Sequence, residues 1–358
     1  MIFSFIFSWI IFIAWKGYRG HKFGPSFFEL LAISVLFSLN CSNPDTQMYE
    51  NIYSFAYFGG TAAHAGEPIY YLLCCIAKYI GLDYLSFYCL FVNSCLFFLF
   101  EYISNRTKNV GIVFVALSVT TLLLDYVQIR QFAAMCIVIY GFKYLSQRGP
   151  KNVIKYLLVV AVAMGFHNSA VIFSIFLLAK LRNQKKVLIL SVLAFSAFAI
   201  LVSNNSILFN MMSSFVGEGD ATYYLVSRHQ FDSVETIILL IIWQEGFLIA
   251  LLMYVSSGIK SSKSELRDYL TLTLSVDLLT LCMSPLLFAS TQFKRLSRVM
   301  IVPSFINIST ADSKKHLGVY IAGSVYVIGY FILVYTSNPD LITSLFENNY
   351  FSLMFGNI

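Results

Sequence analysis

Three stretches of this chain set ionisable side chains among apolar neighbours. "QIRQFAAMCIVIYGF" carries Arg130, "AVAMGFHNSAVIF" has His167 at its centre, and "QFKRLSRVM" holds Lys294, Arg295 and Arg298. Burying a guanidinium in hydrocarbon costs at least about 2.5 kcal/mol unless it is paired or hydrated, so such an arginine marks an ion pair or a functional site. Arg295 and Arg298 are three apart and share a helix face. Guanidiniums at helix N-termini, whose free N–H groups also favour anions, make Arg130, Arg295 and Arg298 a candidate diphosphate clamp. Interfacial snorkelling, or pairing with Asp125 and other local carboxylates, is the competing explanation. His167 is a candidate general base toward a sugar hydroxyl near neutral pH, against the alternative of a packing or capping histidine bonded to a backbone carbonyl. Glu67 and Asp45 compete for the base role, because a carboxylate beside apolar surface has reason to hold a raised pKa.

The composition decides which solvent these groups live in. Of 358 residues, 58% are hydrophobic and 12% charged, against roughly 25% charged in a typical soluble domain. Mean hydropathy is +0.74. These values identify a polytopic membrane protein and leave no room between the apolar runs for a soluble domain of ordinary size. The aromatic share of 17% suits lipid-facing surfaces and interfacial belts. The seven cysteines form no CxxC pair and lie in or beside apolar segments, so they read as packing residues. The first apolar stretch, Ile2 to Trp15, has no basic region before it and no small-residue cleavage site after it, so it reads as a retained helix.

The elements that must position the ionisable residues are about twelve apolar runs long enough, or nearly so, to cross a bilayer. They cover roughly 2–15, 27–41, 85–103, 109–125, 128–146, 153–166, 169–181, 187–203, 237–256, 268–289, 297–311 and 317–336. The expected fold is therefore an all-α polytopic integral membrane protein with one transmembrane domain over 1–358. Residues 67–82, opened by Glu-Pro and carrying Lys78, are expected as a re-entrant or surface helix.

Lys and Arg collect in cytoplasmic loops. With the N-terminus outside, eighteen of the 24 basic residues fall on one side, from Lys16, Arg19 and Lys22 through to Lys314 and Lys315. A full crossing at 67–82 breaks this alternation at Arg106. Both termini then face outward with two long loops, about 42–66 and 204–236. The six remaining basic residues, Lys78, Arg130, Arg228, Lys294, Arg295 and Arg298, lie on or near that outer side, as does His167 at the turn between 153–166 and 169–181.

The order of "NPDTQMYENIYSF", "GEPIYYLL", "QIRQFAAMCIVIY", "MGFHNSAVIF" and "FKRLSRVMIVP" resembles the EpsG-type branch of the Wzy O-antigen and exopolysaccharide polymerases, over about residues 1 to 310. The family's "GTDY" element is matched in part: Asp45 and Tyr49 stand at its aspartate and a following tyrosine, while "SNPD" replaces the glycine-threonine. The arginine of the "RQ" motif corresponds to Arg130, followed by Gln131. The histidine of "FHxSA" corresponds to His167, the basic residues of the late motif to Arg295 or Arg298, and the acidic residue of the "EP" element to Glu67.

The resemblance implies a membrane glycosyltransferase of GT-C-like architecture in the bacterial inner membrane, with its active site facing the periplasm. Its partners are undecaprenyl-diphosphate-linked oligosaccharides as donor and acceptor, and membrane lipid, with a chain-length regulator left open and no nucleic acid. The growing chain passes from one lipid carrier to the non-reducing end of an incoming repeat, and undecaprenyl diphosphate leaves. No nucleotide sugar is required, in keeping with the lack of a Gly-rich phosphate loop. In this reading Arg130, Arg295 and Arg298 hold the diphosphate, and His167, or else Glu67 or Asp45, serves the acceptor hydroxyl. Tyr49, Gln131, Tyr223, Tyr224, Arg228 and His229 line the sugars. No cofactor is expected: His64, His167 and His229 are scattered, and no Asp-x-Asp stands among the outer carboxylates.

Four other classes fit less well. A lipid-linked oligosaccharide flippase should show two similar halves with cations spread through the membrane depth. A polysaccharide ligase shares the lipid-linked chemistry, and an acyltransferase should extend its donor chemistry to the cytoplasmic half. A secondary transporter should show inverted repeats.

Overall fold

The structure is a computed structural model that describes residues 1–18, 24, 26–58, 67–181, 184–204, 206, 209–210, 213, 238, 241–258, 264–288, 294–310, 317–337 and 339–355. Every regular element among the described residues is helical, and extended pairing is limited to an isolated antiparallel bridge between Asn40 and Asn349. The all-α expectation holds. Two compact units are formed, one by Met1–Cys136, Gly165–His167 and Val327–Ile358, the other by Ile137–Met164 and Asn168–Tyr326.

In the first unit, α1 (Ile2–Tyr18), α2 (Ser26–Ser38) and α5 (Tyr84–Ser104) lie side by side. Two contacts fix the direction of α1 relative to α5. At one end the Met1 ammonium donates to Ser86 Oγ (2.9 Å), and at the other Lys16 Nζ pairs with Glu101 Oε2 (2.6 Å). The two helices are therefore parallel. α2 runs against both, because Tyr88, near the start of α5, donates its hydroxyl to the Phe37 carbonyl at the end of α2 (3.2 Å).

It follows that the chain between α2 and α5 leaves and returns at the same end. It holds α3 (Thr46–Phe55) and α4 (Pro68–Tyr79). Twelve residues of α4 extend about 18 Å at 1.5 Å per residue, well short of a hydrocarbon core of about 30 Å. Residues 67–82, expected as a re-entrant or surface helix, thus form one short helix followed by a turn into α5. The expected loop at 42–66 is corrected in part: α3 forms within it. Tyr49, Ile52 and Tyr53, spaced three and four apart, make an apolar stripe that is buried. Tyr53 also donates its hydroxyl to the Leu82 carbonyl (2.6 Å).

A chain of polar contacts joins the three long helices at mid-height. Trp9 Nε1–H donates to Ser34 Oγ (2.9 Å), the Ser34 hydroxyl bonds to Asn93 Oδ1, and Asn93 Nδ2 donates to Ser8 Oγ (2.9 Å). Unsatisfied polar groups in hydrocarbon cost several kcal/mol each. Complete pairing is what allows the fully buried Asn93 to sit there.

The apolar run 109–125 is interrupted. It forms α6 (Val110–Ser118) and α7 (Leu122–Asp125), with Thr120 Oγ1 donating back to the Ala116 carbonyl (2.6 Å) at the break. This pair follows α2 in the same direction. Glu29 lies on Gly111 at their starts, so close that a Cβ there would come 2.5 Å from Oε2, and the Phe37 and Tyr126 rings are 5.5 Å apart near their ends. α8 (Ile129–Ser146) thus begins at the end where α3, α4 and the start of α5 gather. The C-terminal segment is fastened there too. Tyr350 N–H donates to the Leu39 carbonyl (2.9 Å), and Tyr126 donates its hydroxyl to the Leu341 carbonyl (2.6 Å). Met1, residues 42–58 and the C-terminal segment thus gather at one end of the first unit.

In the second unit, α9 (Pro150–Met164) packs on a 3-10 helix, Asn168–Leu181, and Tyr156 donates its hydroxyl to the Phe173 carbonyl (2.9 Å). Fourteen residues in this tighter winding extend about 28 Å at 2.0 Å per residue, where an α-helix would reach about 21 Å. A run that looks short for a crossing thereby gains nearly the required length. Lys180 closes the C-terminal turn of α8 by donating to the carbonyls of Tyr144 (3.0 Å) and Gln147 (2.5 Å). Between Ser264–Leu281 and Ile301–Ser309, the Ser304 hydroxyl donates to Asp277 Oδ2 (3.3 Å) and Asn307 Nδ2 to Thr273 Oγ1 (2.9 Å).

Among the described residues, Tyr84–Ser104 and Lys185–Ser203 are long and apolar enough to cross a membrane, while Ile2–Lys16, Ser26–Ser38, Asn168–Leu181 and Leu317–Leu333 are shorter apolar helices. α10 (Gln184–Ser203) exposes Leu188, Ile189, Val192, Leu193 and Ile200, a side-chain set suited to lipid. Six of the seven cysteines are buried, as packing residues should be.

Candidate functional site

The site is built around the N-terminus of α4. Pro68 stands at the first helical position, where its missing N–H is no loss. The next two amides, of Ile69 and Tyr70, both donate to the carbonyl of Gly165 (2.8 and 3.1 Å). A residue about a hundred positions downstream therefore caps α4. Gly165 is required by the closeness of this approach, because a Cβ there would lie 2.5 Å from Ile69 Cδ1 and Cγ1. Phe166 adds a ring contact with Phe91 (6.1 Å between centroids). The turn Gly165–His167, between α9 and the 3-10 helix, is thus fastened to α4 by backbone, ring and side chain.

Glu67 is the residue before that helix, and its side chain makes no capping bond to the helix. Its two oxygens are used elsewhere. Oε1 takes the Nδ1–H of His167 at 2.5 Å, and Oε2 takes the guanidinium of Arg130. Side-chain exposure is 9% for Glu67, 16% for Arg130 and 24% for His167, so the carboxylate is covered while the imidazole reaches furthest outward. Burial on its own would raise the Glu67 carboxyl. The His167 hydrogen bond, the charges of Arg130 and His167 and the Arg130 hydrogen bond together hold it below the ordinary carboxylate range. This reverses the expectation of a raised pKa for Glu67 and makes it a poor proton acceptor near neutral pH. An ionised carboxylate only accepts hydrogen bonds, so Nδ1 of His167 must carry a proton, and in the neutral form of the ring the lone pair then stands on Nε2.

Arg130 is the second residue of α8. Its guanidinium carbon stands 5.0 Å from the Tyr49 ring centroid and 5.8 Å from that of Tyr70, and its Nη2 touches the Met48 sulfur at 4.0 Å. Two buried tyrosines thus form an aromatic bed for the cation. Asp125, suggested as its neutralising partner, is fully buried four residues before α8, and the carboxylate that pairs with Arg130 is Glu67.

The structure therefore brings together four of the residues singled out from sequence: Glu67, Arg130, His167 and Tyr49. Asp45 lies at the start of α3, one turn before Tyr49, and its backbone N–H donates to Asn43 Oδ1 (3.1 Å). Gln131 is 3% exposed. Arg295 and Arg298 belong to the second unit, where Arg298 is fully buried in a short turn ahead of Ile301–Ser309 and Arg295 is half-buried. Tyr223, Tyr224, Arg228, His229 and His64 lie outside the described residues. Tyr70, Met48 and Gly165 were missed. The signal for Tyr70 was its place three residues after Glu67 in "EPIYYLL", on the same helical face.

Chemically, the cluster offers a fixed cation on an aromatic bed and an imidazole whose tautomer is set by a carboxylate. Among the described residues no group of three His, Cys, Asp or Glu side chains is placed to hold a metal ion. A family model, described as the EpsG family, matches residues 21–352. No curated protein matches the chain, and no solved structure does.

Proposed function

The chain belongs to the EpsG family, and from that premise we propose that it is a membrane glycosyltransferase that polymerises lipid-linked oligosaccharide repeats into a surface polysaccharide. The observation that carries this reading is the Arg130–Glu67–His167 arrangement at the end of the first unit where both termini gather.

In the proposed reaction, donor and acceptor are oligosaccharide repeats on undecaprenyl diphosphate. Nε2 of His167 takes the proton of the acceptor hydroxyl. That oxygen attacks the anomeric carbon of the donor, and the bond from this carbon to the diphosphate oxygen breaks, its electron pair leaving with the diphosphate. Arg130 meets the charge that develops on the leaving group, a role in which a preorganised cation is worth several kcal/mol. Glu67 offsets the positive charge that forms on the imidazole, as the carboxylate of a hydrolase triad does. Arg295 and Arg298 are proposed as diphosphate ligands on their own unit, and Asp45, Tyr49 and Gln131 as residues on the sugar side.

We place the site at the periplasmic face of a bacterial inner membrane, with the shorter and interrupted helices completing about twelve crossings of one GT-C-like transmembrane domain. The test is turnover of a purified lipid-linked repeat by the reconstituted chain in EDTA. Longer glycans and free undecaprenyl diphosphate are expected. Turnover that stops in EDTA and returns with Mg²⁺ or Mn²⁺ would contradict the assignment of the cation's role to arginine.

A further inference from the structure

One carboxylate serves two partners in this site, and the partners differ in what substrate does to them. Arg130 is the group that an incoming diphosphate must engage, whereas His167 is the group that must accept a proton. A diphosphate oxygen and Glu67 Oε2 compete for the same guanidinium edge. We propose that Glu67 couples the two halves of the reaction: donor diphosphate draws Arg130 away from Glu67, and the released carboxylate tightens its bond to His167, arming the base only once the donor is seated. This rests on the proposed function above, since it takes the anion to be a diphosphate.

The coupling is electrostatic. A carboxylate shared between a guanidinium and an imidazole gives each a weaker hydrogen bond than it would give alone. The cluster is largely covered, so this competition is weakly screened. Among the described residues, the charged and titratable groups that face Glu67 are Arg130 from α8 and His167 from the 165–167 turn, with Tyr49 of α3 and Tyr70 of α4 bordering Arg130. Arg130 is held by Glu67 on one side and by two tyrosine rings on the other, so it can turn from the carboxylate to phosphate while its aromatic bed stays in place. Glu67 is then a positioning residue acting through His167. The proton still moves from the acceptor hydroxyl to His167 Nε2, and the electron pair of the broken bond still leaves on the diphosphate. An acceptor bound without donor meets a weaker base, which suppresses futile proton transfer.

The experiment is nitrogen-15 NMR of histidine-labelled full-length chain in nanodiscs, with the His167 signal identified by its loss in His167→Gln. Farnesyl diphosphate serves as the diphosphate probe, and its binding is followed separately by its phosphorus signals. In the wild type the Nδ1–H resonance of His167 is expected to move downfield when the probe binds. In Arg130→Gln, where Glu67 is undivided from the start, it should lie downfield without probe and stay there on addition. In Glu67→Gln the large movement should be gone. The thermal unfolding midpoint in nanodiscs reports whether each variant keeps its fold. A bound probe that leaves the wild-type resonance unmoved overturns the coupling while the diphosphate site stands. A wild-type chain that does not bind the probe overturns the diphosphate reading. An Arg130→Gln resonance at the unliganded wild-type position overturns the sharing of Glu67 in either case.

Discussion

Glu67 and His167, a hundred residues apart in sequence, meet at 2.5 Å through one carboxylate oxygen, and the other oxygen of Glu67 holds Arg130. This fixes the histidine with its second nitrogen free, which is the form a general base requires. Replacing Glu67 by Gln keeps the shape and removes the charge. Chain extension by Glu67→Gln should fall at least about 100-fold, in the range that general-base assistance supplies. Because Glu67 and Arg130 are paired, adding Arg130→Gln to Glu67→Gln should cost much less than Arg130→Gln costs alone. Full additivity in purified-enzyme turnover would show that the two act independently.

The pH dependence follows from the direction of the Glu67 shift. Its carboxyl is held below the ordinary range in the folded chain. The stability contributed by the ionised group is therefore fully present above the unfolded value of about 4.3 and is lost as pH falls through the depressed folded value. Thermal unfolding of the wild type in nanodiscs should weaken on acidification below about pH 4. Glu67→Gln should show a shallower loss over the same window, and equal slopes would contradict the shift.

Gly165 carries the third prediction. A methyl group there would lie 2.5 Å from Ile69 Cδ1 and Cγ1, pushing the 165–167 turn off the α4 amides it caps. Gly165→Ala should cut activity by about 10-fold or more, as small displacements in a catalytic site do. Ile69→Ala in the same chain should restore much of it by clearing the space. A Gly165→Ala enzyme as active as wild type would mean that this docking does not position His167.

Much of this was legible in the sequence, and what failed did so for physical reasons. Arg130 and His167 stood out because charged or polar groups in apolar runs are costly and call for an explanation, and Glu67 stood out as the acidic residue of the Glu-Pro pair that opens 67–82. Their meeting did not stand out, because Glu67 is 63 residues from Arg130 and 100 from His167 and no periodicity reports such separations. The sign of the Glu67 shift was misjudged since burial was visible in the apolar neighbours whereas its two partners were not. α3 was hidden within a polar-looking stretch because its apolar stripe is made of tyrosines and one isoleucine. The 3-10 winding of Asn168–Leu181 left no mark in a run that is apolar on nearly every face. The contacts at the two ends of α1 and α5, which set these helices parallel, join residues 85 apart and left no mark in the sequence.

The central claim is that His167 is present for chemistry rather than packing. The most direct measurement is complementation of a polymerase-deletion strain with His167→Gln, after confirming that the variant reaches wild-type levels in the membrane, with the polysaccharide ladder read on a gel. Chains are expected to stop at one repeat unit. A ladder of wild-type length from His167→Gln would contradict it.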